Sequence, residues 1–180
     1  FSIPLVNASQ NNLINQTELG YDEKWSRQFF RTLEFNYKKA PYFEEIFELI
    51  RNIFNQDLVT VADLAMASVE KIAKHLEISC VFEKSSIQYN NTKGMDKTDR
   101  LIEICKLRKA DTYINPAGGK ELYSKKYFKE QEVDLLFIEN NISPYPQFEN
   151  GFVGGLSIID VLMFNSKEQI HEMLNDYSLV

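Results

Sequence analysis

Lys97 and Arg100 fall where a helix is expected to begin, in the stretch KGMDKTDRLIEICKLRKADTYINPAGGKELY. A helix N-terminus carries partial positive charge, so cations there are disfavoured unless an anion offsets them. Two readings stand: a ligand anion lies nearby, or Asp96 and Asp99 neutralise the pair. Further on, Pro116-Ala-Gly118-Gly119-Lys120 forms a turn. Paired glycines let a backbone approach a phosphate or a sugar, and Lys120 adds charge. The pattern is neither a dinucleotide fingerprint nor a P-loop, so a plain turn fits equally well. Tyr145-Pro-Gln147 offers an aromatic face and an amide within the Pro- and Gly-rich stretch 140–155, a loop long enough to be functional. Asp160 ends the run Leu156-Ser-Ile-Ile-Asp160, where it reads as the acidic member of a capping box opened by Ser157, with Leu156 and Val161 placed as a hydrophobic staple.

These residues need elements to hold them. Trp25, Phe29, Leu33 and Tyr37 recur at helical spacing, which predicts an amphipathic helix over 22–38 with an aromatic stripe toward the core. Pro41 breaks it, and Phe43, Ile46, Phe47, Ile50 and Phe54 mark a second helix. Thr60 and Asp63 fit a capping box starting a third helix through about His75, with Leu64, Ala65, Ser68, Ile72 and Leu76 near one face. Segment 78–82, ISCVF, reads as a short buried strand. Asp96 or Thr98 caps the next helix, whose Leu101, Ile104, Cys105 and Leu107 are expected to face inward. Strands are expected near 2–6, 78–82, 111–115 and 133–138, with a helical turn within 122–128. Ser166 and Gln169 form a further capping box before a last helix. The expected fold class is α/β, a mainly parallel sheet with flanking helices and a helical subregion, in one domain spanning residues 1–180.

Composition narrows the function classes. The 180 residues are 44% hydrophobic, with thirteen Phe and nine Tyr, and 26% charged, which suits a packed soluble domain. A net charge of -6 and a pI near 5.1 argue against a nucleic-acid partner, and Lys106, Arg108 and Lys109 read as a solvated helix end. No apolar run approaches the roughly 18 residues of a membrane span, so a cytoplasmic protein without membrane insertion is expected. Cys80 and Cys105 lie in apolar segments and read as small buried hydrophobes. His75 and His171 show no metal-ligand spacing, and His75 ends a helix where the dipole favours an imidazolium. No cofactor is expected, and no activated-nucleophile pattern is present.

Five separated motifs, in order, resemble the WbqC-like family, proteins encoded with bacterial O-antigen and surface-polysaccharide biosynthesis genes. They are Trp25 followed by Tyr37-Lys-Lys-Ala-Pro-Tyr-Phe43; Lys97-Thr-Asp-Arg-Leu-Ile-Glu-Ile-Cys105; Ala110-Asp-Thr-Tyr113 with Gly118-Gly119-Lys120; Tyr145-Pro-Gln147; and Leu156-Ser-Ile-Ile-Asp160. The resemblance implies a role on or with a nucleotide-linked sugar or other glycan precursor. Lys97, Arg100 and Lys120 would then meet a diphosphate, Tyr145 would stack on a base or sugar, and Asp160 or Asp111 would serve as base. The alternative is a non-catalytic binding or scaffold protein for a glycan precursor or partner enzyme. The chain departs from the family pattern in showing no His-Gln-Pro-Asn-Tyr-like opening before FSIPLV. A truncated chain, or a shortened relative, is therefore expected. Donor, acceptor and oligomeric state are not written in these motifs.

Overall fold

The computed structural model describes residues 2–148 and 151–180. They divide into two compact units, one formed by the described residues through Cys80 with Ser143–Met173, the other by Val81–Ile142 with Leu174–Val180. Phe1, which opens the first expected strand, lies outside the described residues.

The first unit is helical. Its helices are α1 (Glu23–Tyr37), α2 (Phe43–Phe54), α3 (Val61–His75) and α7 (Ile158–Phe164), with α8 (Lys167–Leu174) up to Met173. The aromatic stripe is core as expected: Phe29 and Leu33 are buried, and Trp25 stacks on Phe29 at 5.2 Å between centroids. Phe54 meets Phe29 and Phe30 from α2, at 5.1 and 5.8 Å, in the tilted and edge-on arrangements that aromatic pairs prefer. Phe43, Ile46 and Ile50 continue this core, which Leu162, Met163 and Ile170 complete. Caps set the helix starts. Asp22 accepts the Trp25 N–H, while Thr60 and Asp63 form the reciprocal box before α3. Ser166 and Gln169 do the same ahead of α8.

Several expected details differ here. Residues 2–6 make no strand but a single bridge, Leu5 to Leu19, because Pro4 supplies no N–H for a ladder. On α3 the buried residues are Ala67 and Ala73, and Ala65 is exposed. The ISCVF segment forms no strand either: Val81 is 75% exposed, and Cys80 is exposed rather than buried. Apolar composition marked it as core, but no ladder partner reaches it among the described residues. At His75 the helix-end preference for an imidazolium is opposed by burial. Burial, aided by Lys167, pushes its pKa below the ordinary value, and this outweighs the opposing pull of Glu45 and Glu77.

The second unit carries the sheet. It contains α4 (Ser85–Gln88), α5 (Lys97–Arg108), β1 (Thr112–Pro116), α6 (Lys125–Glu130), β2 (Asp134–Asn140) and β3 (Tyr177–Leu179). β1 pairs parallel with β2, Thr112 opposite Asp134 through Pro116 opposite Ile138. β2 pairs antiparallel with β3, Ile138 opposite Leu179. The α/β class holds, while the sheet is a small mixed one in the order β1-β2-β3. The sequence reading missed β3 because three exposed residues carry no alternation. Period-two alternation puts Leu135 and Phe137 on the buried face of β2, against Phe128 of α6 and Ile102 and Cys105 of α5. On α5, Cys105 is buried as expected and Ile102 is buried beside it, while Leu101 and Ile104 are only partly buried and Leu107 is 48% exposed. No helix among the described residues is long and apolar enough to cross a membrane.

Candidate functional site

Asp160 is the centre of the arrangement in the first unit. It sits in the first turn of α7, whose N-cap Ser157 accepts the Ile159 N–H. The capping box expected with Ser157 is not what Asp160 serves, because its carboxylate turns inward to side chains. Tyr37 donates to Oδ2 at 3.0 Å; Tyr145 and Gln147 donate to Oδ1 at 2.6 and 2.7 Å. Asp160 is 4% exposed. Burying a carboxylate is costly, and three donors on its two oxygens offset much of that cost.

The 143–157 loop is folded by the same residues. Gln147 accepts the Val153 N–H at 2.7 Å and donates to the Val153 carbonyl at 3.2 Å, so one amide pins the loop to itself and to Asp160. Gly151 and Gly155 turn the chain with φ of 78° and 73°, a region most side chains avoid. Tyr145 meets Phe152 edge-on at 5.0 Å, and Phe148 meets Phe164 edge-on at 4.8 Å.

Between this loop and α1 lies a cavity of about 380 Å³. Asp160, Tyr37, Gln147, Asn36 and Thr32 supply its polar lining; Phe148, Phe164, Leu33, Val153 and Leu156 supply the apolar part. That volume and mixture suit a small polar ligand with an apolar face. Burial first, and then the Asp160 carboxylate, pushes the phenols of Tyr37 and Tyr145 up to about 12. Both therefore keep their protons near neutrality and act as donors, not bases. Among the described residues no group of three His, Cys, Asp or Glu is placed to hold a metal ion.

Of the eight residues singled out from the sequence, the structure joins Tyr145, Gln147 and Asp160 in this one network. The other five, Lys97, Arg100, Gly118, Gly119 and Lys120, belong to the second unit. Asp96 caps α5 through the Thr98 N–H, which holds its carboxyl below the usual range. Asp99 accepts the Tyr127 hydroxyl at 2.6 Å. Neither carboxylate pairs with Lys97 or Arg100 among the described residues. The Arg100 Nε instead donates to the buried Thr92 hydroxyl at 3.0 Å, with a longer contact to the Ser85 carbonyl at 3.4 Å. Lys120 is ion-paired with Glu139. A Cβ on Gly119 would collide with the Asn115 side-chain amide, which would have to shift away, while Gly118 has open space around it. Asp111 is exposed, and its carboxylate accepts the Thr112 hydroxyl.

Sequence reasoning missed Tyr37, Phe148 and Phe164 as lining residues. The one available signal was a tyrosine within a stripe otherwise built of Phe, Leu and Trp, since a buried phenol needs a polar partner.

The WbqC-like protein family matches residues 1–172. The chain belongs to this family. It is also similar to an uncharacterized protein of Mycobacterium tuberculosis, Rv1507c, with 28% identity over 143 residues. That alignment takes in 78% of this chain and 60% of the mycobacterial protein, so the chain matches less than two thirds of that relative's length. No solved structure matches the chain. For this WbqC-like protein, three of the five ordered motifs of the sequence, those holding Tyr37, Tyr145-Pro-Gln147 and the run ending at Asp160, converge on one carboxylate.

Proposed function

We propose that this WbqC-like protein binds a nucleotide-linked sugar or related glycan precursor in surface-polysaccharide biosynthesis, with the sugar held in the cavity beside Asp160. The carrying observation is the buried carboxylate, fixed by Tyr37, Tyr145 and Gln147 and bordered by the rings of Phe148 and Phe164. Sugars present hydroxyls to acceptors and apolar C–H faces to rings, and the cavity offers both. Asp160 is held by donors, and no Ser, Cys, Lys or His is among the described lining residues, which favours binding over group transfer as its role. A transferase reading keeps Asp160 or Asp111 as base, and it draws support from Arg100, whose guanidinium has no carboxylate partner among the described residues. Lys97, Arg100 and Lys120, with the Gly118-Gly119 turn, are proposed as anion contacts of the second unit in their own right.

Thermal-shift and calorimetric titration of the whole chain with a panel of nucleotide sugars tests the reading. A stabilising shift that is lost in Gln147→Ala and Asp160→Asn supports it. No shift with any member of the panel, or shifts unchanged in both variants, overturns it. Arg100→Ala and Lys120→Ala measure the anion contacts separately: loss of nucleotide-sugar binding in a folded variant supports them, and unchanged binding removes them.

A further inference from the structure

The cavity beside Asp160 has a carboxylate in its wall and no cation of its own. None of the ion pairs among the described residues involves Asp160, and its three donors are the neutral groups of Tyr37, Tyr145 and Gln147. Neutral donors satisfy lone pairs, and the N-terminus of the short helix α7 adds only partial positive charge, so no full cation balances the carboxylate in a site only 4% exposed. The two oxygens also differ. Oδ1 accepts from both Tyr145 and Gln147, whereas Oδ2 accepts from Tyr37 alone. A carboxylate oxygen takes about two donors, so Oδ2 retains one acceptor position. Tyr37, Phe148 and Phe164 add aromatic rings to the lining, and ring faces attract cations. No Lys, Arg or His is among the described lining residues, so a phosphate or carboxylate placed in this cavity would meet only like charge.

We propose that the cavity selects a sugar bearing a free amine, whose ammonium group donates to Asp160 Oδ2. This rests on the sugar-binding reading and narrows it from sugars in general to amino sugars. A hydroxyl at the same place would complete the hydrogen bonding of Oδ2 but leave its charge unbalanced, and an acetylated amine would lose the charge and add bulk.

Calorimetric titration of the whole chain with the methyl glycosides of glucosamine, glucose and N-acetylglucosamine, at a pH where the amine is charged, tests the inference. The amine-bearing glycoside is expected to bind about tenfold or more tightly than the other two, because a charge-assisted hydrogen bond replaces a neutral one. Asp160→Asn should bring the three to similar affinity, while Tyr145→Phe, which keeps the carboxylate, should preserve the ranking. If either neutral glycoside binds the unmodified chain as tightly as the amine, the inference is overturned and sugar binding stands. If none of the three binds, and no nucleotide sugar does either, both fail. The ligand ranking on the unmodified chain decides the matter even where a variant does not fold.

Discussion

Tyr37 and Asp160 stand 123 positions apart and meet at 3.0 Å, the phenol donating to Oδ2. This contact ties the end of α1 to the first turn of α7, so the carboxylate is part of the unit's framework as well as of its cavity. Asp160→Ala would strip the acceptor from Tyr37, Tyr145 and Gln147 at once. Leaving buried donors unpaired costs about 1–3 kcal/mol per group, less where a side chain can turn to water. A net loss of about 2–4 kcal/mol is expected, measured by urea denaturation at neutral pH. A loss below about 1 kcal/mol would show that the network contributes little to folding.

Tyr37→Phe and Tyr145→Phe each remove one donor while keeping the ring. Each should cost about 1 kcal/mol. Because both act on one carboxylate, the double variant is expected to depart from additivity by about 0.5 kcal/mol or more. A double-mutant cycle on unfolding free energies checks this, and strict additivity would argue that the two phenols do not share Asp160.

The same tyrosines predict a loss of stability in alkali. Their folded pKa, about 12, lies above the ordinary tyrosine value of 10.0. The folded state therefore retains protons that the unfolded chain releases, and the contribution is fully present below pH 10.0 and lost as pH rises toward about 12. Denaturation midpoints measured across that range should fall, with a shallower slope in the Tyr37→Phe, Tyr145→Phe double variant.

His75 predicts the opposite limb. Burial, then Lys167, lowers its pKa from the ordinary 6.5, against Glu45 and Glu77. Its contribution is present above pH 6.5 and lost as pH falls through the folded value, since the unfolded chain takes up the proton first. His75→Gln should flatten the acid limb of the stability profile, and an NMR titration of the imidazole should place its midpoint below 6.5. A midpoint above that value would reverse the sign.

Thr60 is the N-cap of α3, its hydroxyl accepting the Asp63 N–H at 3.2 Å while Asp63 accepts the Thr60 N–H at 3.0 Å. Thr60→Ala should cost about 1 kcal/mol, and Thr60→Ser should recover most of it. Thermal melts of the three proteins separate the cap from the loss of a methyl group.

Local chemistry made much of this chain legible from its residues. Helical spacing of Trp25, Phe29 and Leu33, the Thr60 and Ser166 boxes, the Asp96 cap and the apolar run of β2 all act over a few positions, where one backbone geometry satisfies the local hydrogen bonds and buries one face. The motifs also carried the family. Where a segment's partner lay far off in the chain, the same reasoning failed: ISCVF had strand composition but no ladder, and three exposed residues became β3 because β2 offered an edge. Asp160 shows the division most clearly. Its place after Ser157 determined that it would enter the first turn of a helix. Only the tertiary structure decided that its carboxylate would leave that cap for Tyr37, Tyr145 and Gln147, because a buried charge takes the donors that folding brings to it, and none of those donors is within a helical turn of it in the chain.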